Sequence, residues 1–144
     1  MGTGMSFKFR QLLEERRLLR IKPDRKLILK EIEGAESDFE TAKRSLRDGN
    51  CKWAIIQGYY SVFHAARALL YSKGLREKSH YALLIAVQEL FDDELERSLI
   101  QGFEDAMSLR QTADYGLTFS EEGALDVMKT ADEFLQRVKK ILKI

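Results

Sequence analysis

Cysteine occurs once in the 144 residues, at Cys51, which excludes an internal disulfide and a metal site built on thiolates. Histidine occurs twice, at His64 and His80, with no HExxH spacing, so neither a metal centre nor a cofactor is expected. No apolar run approaches the roughly 20 residues that a membrane-spanning helix needs. The opening MGTGMSFKFR lacks the apolar core of a secretory leader, so a cytoplasmic location is expected. A chain-wide basic footprint is missing too, for the net charge is only +1. A dedicated binder of duplex DNA is therefore not expected. Proline is almost absent: Pro23 is the single one.

What is present fits a helix-rich globular chain, with 44% hydrophobic and 33% charged residues. The length accommodates one well-filled core. Charge is distributed unevenly along it. Residues 8–30 hold nine Lys/Arg against three Asp/Glu, whereas residues 89–126 hold eleven acids and two bases, Arg97 and Arg110. Such segregation predicts opposed basic and acidic faces, or else solvated helix surfaces that merely differ.

Helical periodicity runs almost from end to end, and no segment alternates convincingly with a period of two. A first short helix is predicted over about residues 6–20, with Phe7, Phe9, Leu12 and Leu13 as its apolar content. Pro23 is well suited to the first turn of a second helix. In that helix Ile28, Ile32, Ala35, Phe39, Ala42 and Leu46 recur at spacings of four and three, the seam of a bundle. A third helix, roughly 51–73, is apolar on nearly every side and belongs at the centre. LREKS reads as a loop before a fourth helix over 79–91. Asp92-Asp93 reads as the entry to a fifth, with stripe Leu95, Leu99, Phe103, Ala106 and Met107, ending at Gly116. Ser120 caps a sixth. The expected architecture is an all-α, antiparallel up-and-down four-helix bundle with one or two additional short helices. Its division is a basic N-terminal helical extension, 1–22, and a bundle, 23–144.

Two groups of polar residues interrupt the apolar stripes. Gln57, Tyr60, His64, Arg67 and Tyr71 share one strip of the third helix. Unpartnered burial of such groups costs about 1–3 kcal/mol each, so they must meet partners, water or a cleft. His64 as a satisfied core histidine and Arg67 as a snorkelling cation compete with their lining a polar wall. In RQTADYG, residues 110–116, Arg110 continues the stripe of Phe103 and Met107, with Asp114 four residues on. A planar, permanent cation there requires a carboxylate or a phosphate. Arg110 is thus either the ion-pair partner of Asp114 or a phosphate-handling residue.

YYSVFHAARALLYSKGLREKSH, residues 59–80, followed by LRQTADYG, residues 109–116, resembles the HEPN-domain family, in particular its small stand-alone prokaryotic branch. The resemblance covers about residues 25–140. It implies a four-helix core, dimerised so that the ends of the arginine-bearing helices meet across a two-fold axis. Many such proteins are metal-independent endoribonucleases, often the toxin of a toxin–antitoxin pair. Others accompany a minimal nucleotidyltransferase as its partner or target. The family signature, an arginine, four to six spacers and a histidine, matches Arg110, but Tyr115 stands where the histidine belongs. An unperturbed tyrosine, with a pKa of about 10, is a poor base for RNA cleavage. His64 is the substitute base by family position.

Three readings are open on this sequence. In the first, a homodimer binds a nucleotide, RNA or a nucleotidyltransferase through Arg110, Asp114, Tyr115, Tyr60 and Arg67. In the second, Arg110 and His64 are the catalytic pair of a divergent endoribonuclease. The third is a purely structural helical interaction module, in which Asp114 consumes Arg110 and no site forms.

Overall fold

The computed structural model describes residues 6–144; residues 1–5, on which the leader and extension readings partly rest, lie outside it. Six helices succeed one another: α1 (Phe7–Glu14), α2 (Arg25–Arg47), α3 (Cys51–Ser72), α4 (His80–Leu90), α5 (Arg97–Tyr115) and α6 (Glu121–Leu142). Two three-residue strands, β1 (Leu18–Arg20) and β2 (Leu75–Glu77), pair antiparallel. The all-α bundle is as expected, with α3 at its centre and α2 packed most extensively against it. Fourteen residues of α3 are buried, among them Tyr59, Val62 and Leu69 with no exposure at all. At Gly58 the fit to α6 is tight: a Cβ there would lie 2.8 Å from Val127 Cγ1. No helix among the described residues is long and apolar enough to cross a membrane.

Several boundaries have local chemical causes. Asp24 caps α2 by accepting from the Lys26 amide at 2.9 Å, and Pro23 stands just before that cap instead of inside the first turn. Ser79 and Ser120 cap α4 and α6, accepting from Ala82 N and Gly123 N at 3.0 Å each.

Three sequence expectations are corrected. The first helix stops at Glu14, because Arg16 adopts a left-handed φ of 61° and turns the chain back, with Arg17 N donating to Leu12 O at 2.8 Å. The chain then enters β1, and LREKS supplies β2. These strands are too short for alternation to register, yet Leu18 and Glu77, paired directly, both point inward. The fifth helix begins at Arg97, not at Asp92. Residues 92–96 form a turn anchored by buried Phe91 and Leu95 and held by Arg137, whose Nε donates to Glu94 O at 3.0 Å.

The described part of the N-terminal segment is packed on the bundle. Phe9, Leu12 and Leu18 lie in the core, and Ser6 N donates to Glu89 at 2.8 Å, so α1 runs along α4.

Candidate functional site

On α5, Leu99, Phe103 and Ala106 are buried toward the core, and the next turn presents Arg110 to α3. Its side chain is 12% exposed. Nη2 donates to Tyr60 Oη at 3.0 Å and lies 3.5 Å from Asp114 Oδ2, one helical turn on. The guanidinium is flanked by three phenol rings, with centroids 5.4 Å away for Tyr60 and Tyr115 and 5.9 Å for Tyr59. Nε is buried and has no hydrogen-bond partner among the described residues. A cation in a ring-walled niche, met by one distant carboxylate, keeps donors available to an oxyanion.

Beside it stands a residue that sequence reasoning passed over. His80, the first residue of α4, tilts against Phe63 with centroids 4.6 Å apart and stacks on Tyr59 at 5.6 Å. Its Nδ1 is 2.6 Å from Tyr59 Oη. Burial, with Arg110 adding to it, pushes the His80 pKa below the ordinary histidine value and keeps the ring neutral. Burial raises the Tyr59 phenol well above its usual range despite the nearby Arg110 charge, so the hydroxyl keeps its proton. Tyr59 is fully buried. An O–H without an acceptor there would be costly, so Tyr59 donates to Nδ1 and the neutral ring carries its proton on Nε2. His80 is thereby assigned as a donor on its second nitrogen. The only local signal for it was the Lys-Ser-His run; nothing in the spacing links positions 59 and 80.

The other predicted residues form a second network. Arg67 directs Nε (2.9 Å) and Nη2 (2.6 Å) onto Glu77 Oε2, and Nη1 onto Glu31 Oε1 at 3.2 Å. Its guanidinium also covers the Phe63 ring at 4.6 Å. Glu77, on the inner face of β2, is 3% exposed, and its Oε1 has no partner among the described residues. His64 sits between Glu31 (Nδ1, 3.2 Å) and Asp38 (Nε2, 3.5 Å) on α2. Burial works against the Glu31 charge, but His64 and Arg67 outweigh it and hold its carboxyl below the ordinary range. Asp38 is pushed up by burial, with His64 opposing. Gln57 accepts from Ser45 Oγ at 2.6 Å.

Arg110, Tyr60, Asp114 and Tyr115 are thus brought together, joined by Tyr59 and His80. Arg67 and His64 belong to the carboxylate network of Glu77, Glu31 and Asp38. Among the described residues no group of three or more His, Cys, Asp or Glu is arranged to hold a metal ion.

The family and the relatives agree with this architecture. The HEPN domain family model matches residues 29–141. Putative toxin MJ0605 of Methanocaldococcus jannaschii is 33% identical over 118 residues, covering 78% of this chain and 86% of that protein. Putative toxin MJ0142 of the same organism is 31% identical over 115 residues, 77% of this chain and 78% of the relative. A UPF0332 protein of Archaeoglobus fulgidus is 29% identical over 116 residues, covering 75% and 89% respectively. A match that spans most of the bundle, from the second turn of α2 to the end of α6, makes this chain a member of the HEPN domain family.

Proposed function

We propose that this chain is a toxin-like HEPN protein whose Arg110 niche binds the phosphate of a nucleotide or of RNA. One observation carries the reading: the Arg110 side chain is 12% exposed, yet its Nε has no partner among the described residues and its one carboxylate stands at 3.5 Å. An edge made of Nε and an Nη is the geometry with which arginine takes two oxygens of one phosphate, and the buried Nε joins it once a ligand displaces the side chains that cover it. Tyr60 Oη and the protonated Nε2 of His80 supply further donors, and Tyr115, 74% exposed, supplies a ring at the rim. The toxin names of the relatives support a cognate protein partner, for which we propose a minimal nucleotidyltransferase.

The same reading includes a homodimer. Tyr115, Leu117 and Phe119 are all exposed in the segment between α5 and α6, at 74%, 68% and 49%. An apolar rim of this kind, next to the niche, is a surface for a second copy to cover. That would set two Arg110 side chains in one groove.

Metal-independent RNA cleavage is the second reading, favoured by the histidine beside Arg110. As assigned, His80 is a donor and not a base, and both His64 nitrogens face carboxylates. The binding reading is therefore preferred. Its test is nucleotide and RNA binding by wild type and Arg110→Ala, then RNA incubation in EDTA with both proteins. Binding lost in the variant, with RNA left intact by both, is expected. Cleavage by the wild type alone would replace binding with catalysis, and unchanged binding in Arg110→Ala would remove the niche from the function.

A further inference from the structure

The short β-ladder has two faces of opposite character. Inward, Leu18 and Glu77 are 2% and 6% exposed, and Glu77 holds Arg67. Outward, the next pair is Leu19 with Arg76, and beyond it Lys78 N donates to Arg17 O at 2.9 Å. The outer face is thus Arg17, Leu19, Arg76 and Lys78, all exposed, with three cations and no acid. Among the described residues neither Arg76 nor Lys78 has a carboxylate within ion-pair distance. Arg17 has only Glu15 at 3.7 Å, both about half exposed. Arg17 also borders a shallow depression of about 240 Å³ lined by Lys8, Gln11, Leu12, Glu15 and Tyr81. Tyr81 is 49% exposed and directly succeeds His80 in α4.

A row of three cations, of which only Arg17 has a carboxylate nearby, ending beside an exposed ring is the composition of a surface that tracks a single-stranded polynucleotide. Its position connects it to the niche. Lys78 precedes His80 by two residues, so their Cα atoms are at most about 7 Å apart, two nucleotides at the ~3.4 Å rise of a stacked strand. We propose that the outer face of the β1–β2 ladder, with Tyr81, binds the strand flanking the nucleotide at Arg110, so that the ligand is a single-stranded RNA several nucleotides long. The proposal rests on the Arg110 reading for where that strand ends. It gives the basic N-terminal segment a role: Arg17 comes from that segment, and β1 holds it in register with Arg76 and Lys78. Glu89 of α4 and Glu104 of α5 lie toward the other end of α4, near Gln88 and Asp92, which favours one orientation of an approaching polyanion.

The test is fluorescence anisotropy with a labelled, unstructured RNA of about 12 nucleotides, within the ~4–16 nucleotide range of single-strand sites. A trinucleotide serves as the short ligand, and salt is varied over roughly 0.05–0.2 M. Arg76→Gln/Lys78→Gln is expected to bind the long RNA about 10- to 30-fold more weakly at ~0.1 M salt, with a log–log salt slope shallower by about 1.4. Trinucleotide affinity should be unchanged. Tyr81→Ala should weaken the long RNA by roughly 5- to 100-fold with little change of slope. Arg17→Gln provides an independent removal of one charge, and circular dichroism melts establish that each variant folds. Equal affinity and slope in wild type and the double variant overturn the ladder proposal, and the Arg110 reading stands if Arg110→Ala still loses the trinucleotide. Loss in the double variant with no effect of Arg110→Ala sinks the niche and keeps the ladder. Failure of the wild type to bind any RNA at ~0.05 M salt also overturns the proposal and assigns the face to an acidic protein surface.

Discussion

Arg67 and Arg110 interrupt apolar helix surfaces in the same way, and their surroundings differ in kind. Arg67 on α3 has all three guanidinium nitrogens on carboxylates, Glu77 and Glu31. Arg110 on α5 has a phenol, three ring faces and one carboxylate at 3.5 Å, and its Nε is unpartnered among the described residues. Charge at the first is neutralised within the fold, so removing one member leaves an uncompensated ion inside. Charge at the second is only partly answered, which is unfavourable for stability and useful for recognition. The contrast shows that a buried arginine is informative only together with the number and distance of its acceptors.

The comparison breaks most visibly at Arg67. Arg67→Met keeps the aliphatic stem but strands Glu77, which is 3% exposed, and should cost about 3–5 kcal/mol in urea unfolding. A loss below about 1 kcal/mol would mean that Glu77 gains water or another partner when Arg67 is removed. Arg110→Met should change stability by only about 1 kcal/mol in either direction while weakening phosphate ligands at least tenfold. Large destabilisation there would make Arg110 a structural residue like Arg67.

Smaller effects sharpen the picture of the niche. Tyr59→Phe removes the hydroxyl bonded to His80 and should cost about 1 kcal/mol. It should also release the tautomer, visible in the nitrogen chemical shifts of the His80 ring. The pH dependence of His80 has a definite sign. Its folded pKa lies below its unfolded one, so on acidification through about 6.5 the unfolded chain takes up a proton that the native chain resists. Wild type therefore loses stability between roughly pH 7 and pH 5, and His80→Gln should lose less of it over the same range. Identical pH profiles would remove His80 from its buried contact. Asp114→Asn is the mildest change, about 0.3–0.5 kcal/mol, as for an ordinary pair one helical turn apart. A cost of several kcal/mol would return Arg110 to the status of a closed ion pair.

Much of this was legible in the chain. The seam of α2, the all-round apolarity of α3 and the serine cap at Ser120 are local patterns with local causes, and together they imply the bundle. Arg110 was marked by its place on the stripe of Phe103, and Asp114 by its spacing of four. The β-ladder was not legible, because three residues per strand carry no measurable alternation and its register depends on a partner some 57 positions away. Nor was the true start of α5, since the turn before it is held by Arg137 from α6.

The sequence alone determined that the chain is helical, that α3 is central, and that an arginine lies where only an acceptor would make it tolerable. Those properties arise from periodicity, capping and burial, which act over a few residues at a time. Tertiary structure decided which arginine is closed by carboxylates and which stays available. It also set His80 against Tyr59 and turned a basic N-terminal segment into one strand of a cationic face. Each of these depends on side chains from different elements meeting within hydrogen-bond distance, and no spacing along the chain encodes that.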